Sequence, residues 1–155
     1  MITVVKSKDT NLLAKLNREV QILHNEINPV IFKCYSQDDM KTMFDEAIIH
    51  ENIEFYIAYY KNEPAGYIMI EVFEYPEAPF RNCYKVLYIE QISVVKSFQN
   101  MGIGKTLINK AFERAKEMGI KRIELDYWTE NVHAGEVFKK MGLKSFNTKM
   151  YIDIK

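Results

Sequence analysis

Cysteine is scarce in this sequence: Cys34 and Cys83 are the only two among 155 residues. They lie far apart, outside any CxxC or His-spaced pattern, so neither a metal site nor a disulfide framework is indicated. Two ordinary thiols in a reducing compartment are expected. Net charge is also absent, with 21 Lys plus Arg against 21 Asp plus Glu. That balance gives no overall attraction to nucleic acid or to an anionic membrane. No apolar run approaches the ~20 residues of a membrane helix, and the opening stretch Met1–Lys6 does not read as a signal peptide. Repeats, low-complexity tracts and Gly/Ser linkers are missing too. The expectation is one cytoplasmic domain spanning 1–155, with 48% hydrophobic residues to build its core.

The periodicities that are present alternate between strand and helix. Residues 2–6 read as a short strand. Leu12, Leu13, Leu16, Val20 and Leu23 then recur at helical spacing behind Asp9 or Thr10 as N-cap. A second helix begins after Ser36, which stands three residues before Asp39 as in a capping box. Pro29 interrupts the stretch between them. Residues 54–60 and 65–75 read as a strand pair, 84–95 as a long strand, and Ile103 to Ala115 as a helix stopped by Gly119. A strand over 121–128, a helix over about 131–141 and a closing strand over 144–154 complete the reading. The fold class is therefore α/β in the broad sense, a mixed α+β sheet with helices on both faces.

The most informative segment joins the long strand to the following helix, Gln99-Asn100-Met101-Gly102-Ile103-Gly104-Lys105. The first amides of a helix lack internal partners, and the helix dipole makes that end positive. Glycines allow close approach of a phosphate, so the turn is a candidate diphosphate site. Gly104-Lys105-Thr106 looks like the end of a P-loop, but Gln99 stands where that motif requires glycine. The dinucleotide pattern G-x-G-x-x-G fails at Leu107.

Gln99-x-x-Gly102-x-Gly104 resembles the acyl-CoA motif Q/R-x-x-G-x-G/A of the GNAT superfamily of N-acetyltransferases. Upstream, Ile92-Ser93-Val94 is similar to the strand that in this family bonds the pantetheine arm through its backbone. Downstream, Asn131, Ala134, Phe138 and Gly142 resemble the pattern N-x-x-A-x-x-x-Y/F-x-x-x-G. The strong part of the match covers roughly 84–143. It implies the GNAT fold, with a V-shaped splay between strands 84–95 and 121–128. It implies acetyl-CoA as co-substrate, no metal, direct transfer to an amine acceptor, and homodimerisation. Expected acetyl-CoA contacts are Ile92, Ser93, Val94, Gln99, Asn100, Met101, Gly102, Ile103, Gly104, Lys105, Asn131 and Phe138.

Direct attack needs a base for the amine proton, a donor for the oxyanion and a proton for the thiolate. Glu90 is the expected base, at a spacing from Gln99 that resembles that of polyamine acetyltransferases. Four residues separate it from Val94, so both side chains are expected on one sheet face. Pairing with a cation or holding the amine is the other use open to Glu90. The Val94 amide is the expected oxyanion donor. Many relatives have tyrosine where Phe138 stands, and phenylalanine donates no proton. Either water protonates the thiolate, or Tyr127, His133 or Tyr151 does so, or the domain binds acyl-CoA without efficient turnover.

The acceptor is expected among the loop after the first helix, the second helix and the aromatic strands. Candidate contacts are His24, Glu26, Phe32, Tyr35, Tyr56, Tyr75 and Trp128, with Glu26, Glu71, Glu74 or Asp126 favouring a cationic amine. A small-molecule amine is the leading reading; a protein or peptide amine and a non-catalytic acyl-CoA-binding role are the alternatives.

Overall fold

The computed structural model describes all residues 1–155. Its core is a five-stranded sheet in sequence order β1-β2-β3-β4-β5. The strands are β1 (Ile2–Lys6), β2 (Ile53–Tyr60), β3 (Glu63–Tyr75), β4 (Tyr84–Val94) and β5 (Ile123–Glu124). The first four pair antiparallel, and β5 joins β4 in parallel. The helices are α1 (Thr10–Leu16), α2 (Arg18–Ile27), α3 (Gln37–Ala47), α4 (Ile103–Glu117) and α5 (Val132–Lys140). No helix is long and apolar enough to cross a membrane.

Alternation along the central strands sorts the core into two layers. Ala58, Ile68, Ile70, Leu87 and Ile89 face Ile103, Leu107, Ile108 and Ala111 of α4, together with Phe138 of α5. Phe55, Ile57, Tyr67 and Met69 face Leu13 and Leu16 of α1 and Phe44 of α3. Both faces are covered, which is why β2 and β3 read as near-continuous apolar runs. Caps fix the helix starts: the Asp9 side chain accepts from the Leu12 amide at 3.0 Å, and Ser36 Oγ accepts from the Asp39 amide at 3.2 Å.

Four features differ from the sequence reading. The first helix is two, broken at Asn17, whose buried side-chain amide turns inward to donate to the Tyr67 hydroxyl at 3.0 Å. The strand expected over 121–128 pairs with β4 only at Leu87–Ile123 and Tyr88–Glu124. The strand expected over 144–154 forms no ladder and is exposed throughout. Finally, β4 carries a β-bulge: Met69 pairs with Gln91 and Ile70 with Ile89, leaving Glu90 as the extra residue.

The bulge reverses the parity of β4. Leu87 donates its amide sideways to Arg122 of the β5 segment at 3.0 Å, whereas Val95 donates its amide back to Ala65 beside β3 at 2.8 Å. Before Glu90 the odd-numbered amides point toward β5; after it the even-numbered ones do. The side chains switch likewise, so Glu90 and Val94 lie on opposite faces, contrary to the expectation from their spacing. Glu90 shares a hydrogen bond with Glu71, on the α1 side of β3, while Val94 packs toward Gly104 of α4.

Candidate active site

Past Tyr88 and Glu124, β4 and β5 part, and β4 runs on to Val94 with no strand on that side. The Ile92 and Val94 amides point into this gap by the alternation just described, away from β3. Ser93 pairs with Tyr67 and directs its backbone to β3 instead; its buried hydroxyl has no partner. Thus Ile92 and Val94 present backbone to the gap and Ser93 does not.

Beyond Val94 a single 3₁₀ turn (Lys96–Phe98) leads into the glycine turn. Gln99 Nε2 donates to the Val94 carbonyl at 3.2 Å, tying the turn to the end of β4. Asn100 and Gly102 have φ of 62° and 83°, and Gly102 is the N-cap of α4. The first helical bond is Thr106 N–H to the Gly102 carbonyl at 3.0 Å. The amides of residues 100–105 therefore donate to no protein group. Gln99, Asn100, Met101, Gly102 and Lys105 are exposed and Ile103 is buried, anchoring the helix start in the core.

A cavity of about 290 Å³ opens through the gap. Glu90, Gln91 and Ile92 form one wall, Leu125 to Trp128 another, and Asn131, Ala134 and Phe138 of the α5 segment a third. The polar and aromatic rim comes from Asn17, Gln21, His24 and Phe32. Phe32 is placed by two amides of α2: Asn25 Nδ2 donates to its carbonyl and Gln21 Nε2 to that of Lys33, each at 2.8 Å. His24 stacks on Phe32 at 4.8 Å, and Phe32 meets Trp128 edge-on at 4.9 Å.

Carboxyls gather where Glu90 enters. Burial lifts the Glu90 carboxyl first; its hydrogen bond to Glu71 and the charges of Glu71 and Asp126 lift it further, to about 7. Asp126 accepts from the Tyr88 hydroxyl at 2.6 Å. Burial lowers the basicity of His24 against the opposing pull of Asp126, which favours the neutral imidazole.

Of the acid candidates, only Tyr127 lines this cavity. Its ring lies 5.8 Å from that of Phe138 and rests on Gly135, where an added Cβ would come within 2.7 Å of the ring. His133 and Tyr151 are exposed. Asn131 caps α5, accepting from the Ala134 amide at 3.3 Å, and also borders the cavity. Among the acceptor candidates, His24, Phe32, Asp126 and Trp128 converge here. Tyr56 lies on the α4 face, bound to Glu54; Tyr75 stacks on Tyr84 at 4.6 Å; the Tyr35 hydroxyl donates to the Ala14 carbonyl; Glu26 and Glu74 are exposed.

Two cavity residues carried no sequence signal. Asn17 is buried, yet its Oδ1 has no partner. Gln91 accepts from the Tyr67 hydroxyl at 2.6 Å, completing a chain Asn17–Tyr67–Gln91 across the sheet. Both are scattered polar positions inside elements, and only the bulge and the helix break bring them to the cavity.

The model of the acetyltransferase (GNAT) family matches residues 20–143. The chain belongs to the GNAT family. It is an acetyl-CoA-dependent acyltransferase by that membership. It is 30% identical to an uncharacterized N-acetyltransferase of Lactobacillus delbrueckii subsp. lactis over 129 residues, 77% of this chain and 73% of that protein. Over 60 residues it is 42% identical to an uncharacterized N-acetyltransferase of Methanocaldococcus jannaschii, covering 39% of this chain but only 26% of that protein. In fold, this GNAT domain superposes on a tetramutant Bacillus halodurans protein with a TM-score of 0.90, at 21% identity and 99% coverage of each chain. A predicted acetyltransferase from Clostridium acetobutylicum, solved with acetyl-CoA, gives 0.73 at 20% identity over 99% of this chain and 96% of that one.

Proposed function

We propose that this GNAT domain acetylates the primary amine of a small cationic molecule by direct attack on acetyl-CoA. The observation that carries the reading is the bulge, which sets a carboxyl with a pKa of about 7 beside a gap that receives free backbone amides. The amides of 100–105 hold the diphosphate, with Lys105 adding charge. The Ile92 and Val94 backbone pairs with the pantetheine arm in place of the missing strand, and Asn131 and Phe138 flank it.

Glu90, directly or through water, accepts a proton from the ammonium of the acceptor, and the freed amine attacks the thioester carbonyl carbon. The Val94 amide donates to the oxygen as it gains charge. The carbon–sulfur bond then breaks as the carbonyl reforms. Tyr127 gives its hydroxyl proton to the departing sulfur, and the proton that leaves the amide nitrogen restores the balance through solvent. The products are an acetamide and free CoA thiol. Tyr127 is favoured over His133 and Tyr151 because it alone borders the cavity.

Glu71, Glu90 and Asp126 favour a cationic acceptor, and the Phe32–Trp128 rim favours a compact one over an extended peptide. The test is release of free thiol from acetyl-CoA against polyamines, aminoglycosides, amino acids and peptides. Turnover confined to cationic small molecules is expected. Turnover with peptides alone would refute the acceptor class. Thermal stabilisation by CoA without release for any amine would point to a binding role.

A further inference from the structure

Several polar side chains of the cavity are already committed. Gln21 donates to the Lys33 carbonyl, Asn131 caps α5, and Asp126 accepts from the Tyr88 hydroxyl. The side-chain amides of Asn17 and Gln91 are each bonded at one end only. Asn17 Nδ2 donates to the Tyr67 hydroxyl at 3.0 Å, and that hydroxyl donates to Gln91 Oε1 at 2.6 Å. Left over are Asn17 Oδ1, an acceptor, and Gln91 Nε2, a donor. Asn17 is 1% exposed, and its Oδ1 is one of three buried side-chain atoms without a partner. The other two, on Arg81 and Ser93, belong to residues outside the cavity wall. A buried polar atom costs free energy until something bonds it.

Tyr67 couples the two ends. Burial raises the pKa of its phenol, so the group stays neutral and has one proton to give. Turning all three groups the other way only exchanges the ends: one still offers a donor and the other an acceptor. An apolar substituent would leave both unpaired. A second ammonium, which only donates, would oppose the donor end. A hydroxyl both donates and accepts, and so satisfies the pair.

The bulge brings this pair to the reacting group. Gln91, opposite Met69, and Glu90, the extra residue, both point to the α1 side although they are neighbours in sequence. A group held at Gln91 therefore lies beside the carboxyl that receives the amine.

We propose that Asn17 and Gln91 form a hydroxyl subsite, so that the acceptor is an amino alcohol with its hydroxyl a few carbons from the reactive amine. The proposal rests on the reading of this cavity as the site of a small cationic amine, and it narrows that class. Tyr67 does not border the cavity and acts as a positioning residue, holding both amides.

The test measures thiol release from acetyl-CoA for each amine that is turned over and for its deoxy counterpart. The first series is the ethyl, propyl and butyl amines, each plain, with a terminal hydroxyl and with a second terminal amine. The wild type should favour the hydroxylated amine in kcat/KM by about tenfold or more. In Asn17→Leu, Gln91→Met and Tyr67→Phe that ratio should fall toward one. Damage to the fold alone lowers both rates together and keeps the ratio. Should Asn17→Leu not fold, Tyr67→Phe decides, since it removes one oxygen and keeps the ring against Phe44. Equal rates for hydroxylated and deoxy amines overturn the subsite and leave the acceptor class standing. So does a preference for the diamines, or a ratio that survives the substitutions. No turnover of any amine overturns both readings.

Discussion

Replacing Glu71 by glutamine should move the acid limb of the reaction without touching the residue that titrates. Glu90 is lifted from 4.5 to about 7 by burial first, then by its hydrogen bond to Glu71 and the Glu71 charge, with Asp126 adding less. Glu71→Gln removes both Glu71 contributions and keeps burial. A glutamine amide can also donate to the Glu90 carboxylate and favour its charged form. The pKa should fall by about one to two units. The sign follows: a base works when deprotonated, so the rising limb of kcat/KM sits near pH 7 in the wild type and moves to lower pH in the variant.

The height of the plateau should change as well. A weaker base transfers the proton less readily, by about threefold per unit when transfer is half complete. The variant is then several-fold slower than the wild type above pH 8. Near pH 6 the two rates come close together, because about nine in ten wild-type Glu90 groups are protonated there. The assay is thiol release at limiting concentrations of one turned-over amine across the pH range. The amine contributes its own ionisation equally to both proteins, so the displacement between the curves belongs to the protein. A limb that stays in place, or moves to higher pH, would refute the assignment of the shift to Glu71. A profile for Glu90→Gln identical to that of the wild type would remove Glu90 as base.

Tyr127→Phe should lower kcat by about a hundredfold and leave KM for acetyl-CoA nearly unchanged, read by steady-state kinetics; an unchanged kcat would leave the thiolate to water. Gly102→Ala meets no atom within 4 Å but must hold φ of 83°, so its penalty is backbone strain of roughly 1–2 kcal/mol. Its KM for acetyl-CoA should rise with little change in kcat, and an unaltered KM would detach the turn from the diphosphate. Glu54 is nearly buried against Arg114, which holds its carboxyl down to about 2, with Tyr56 and Lys6 also bonded. A lowered pKa gives stability present above the ordinary value of 4.5 and lost as pH falls through about 2. Glu54→Gln should therefore lower Tm clearly at pH 7 and progressively less toward pH 2, measured by calorimetry; a deficit independent of pH would reassign it to packing.

The sequence made most of the frame legible because its signals are local. Asp9 and Ser36 mark helix starts, Gly119 and Gly142 mark ends with φ of 68° and 94°, and the runs in β2 and β3 need only period and composition. The glycine turn was equally readable, since a helix start without internal partners depends on a few contiguous residues. What escaped was set by tertiary register. Nothing near Glu90 announces a bulge; it exists because Ile89 and Gln91 both find partners on β3 while sheet and helices close around them. Leu12 to Leu23 keeps helical periodicity across Asn17, yet burial of Asn17 against Tyr67 divides it. The strand over 121–128 has the right alternation, but a ladder needs a neighbour, and β4 has already turned away.

The bulge and the splay are one device. Without the extra residue, Val94 would direct its amide to β3, and the side facing the gap would be supplied by odd-numbered positions such as Ser93. Glu90 would keep its place beside Glu71 and the α2 rim, and the Val94 side chain would share that face, leaving its packing toward Gly104 of α4. One inserted residue thus turns a spare backbone donor into the gap while the carboxyl stays on the acceptor side of the sheet. Donor and base approach the gap from different directions, in the plane of the sheet and from its α2 face. A thioester lying along β4 can therefore receive an amine from the α2 side while its carbonyl oxygen meets the strand. Parallel neighbours that stayed paired to the end of β4 would consume the Val94 amide in a ladder bond, and the Glu90 carboxyl would then stand over a closed sheet.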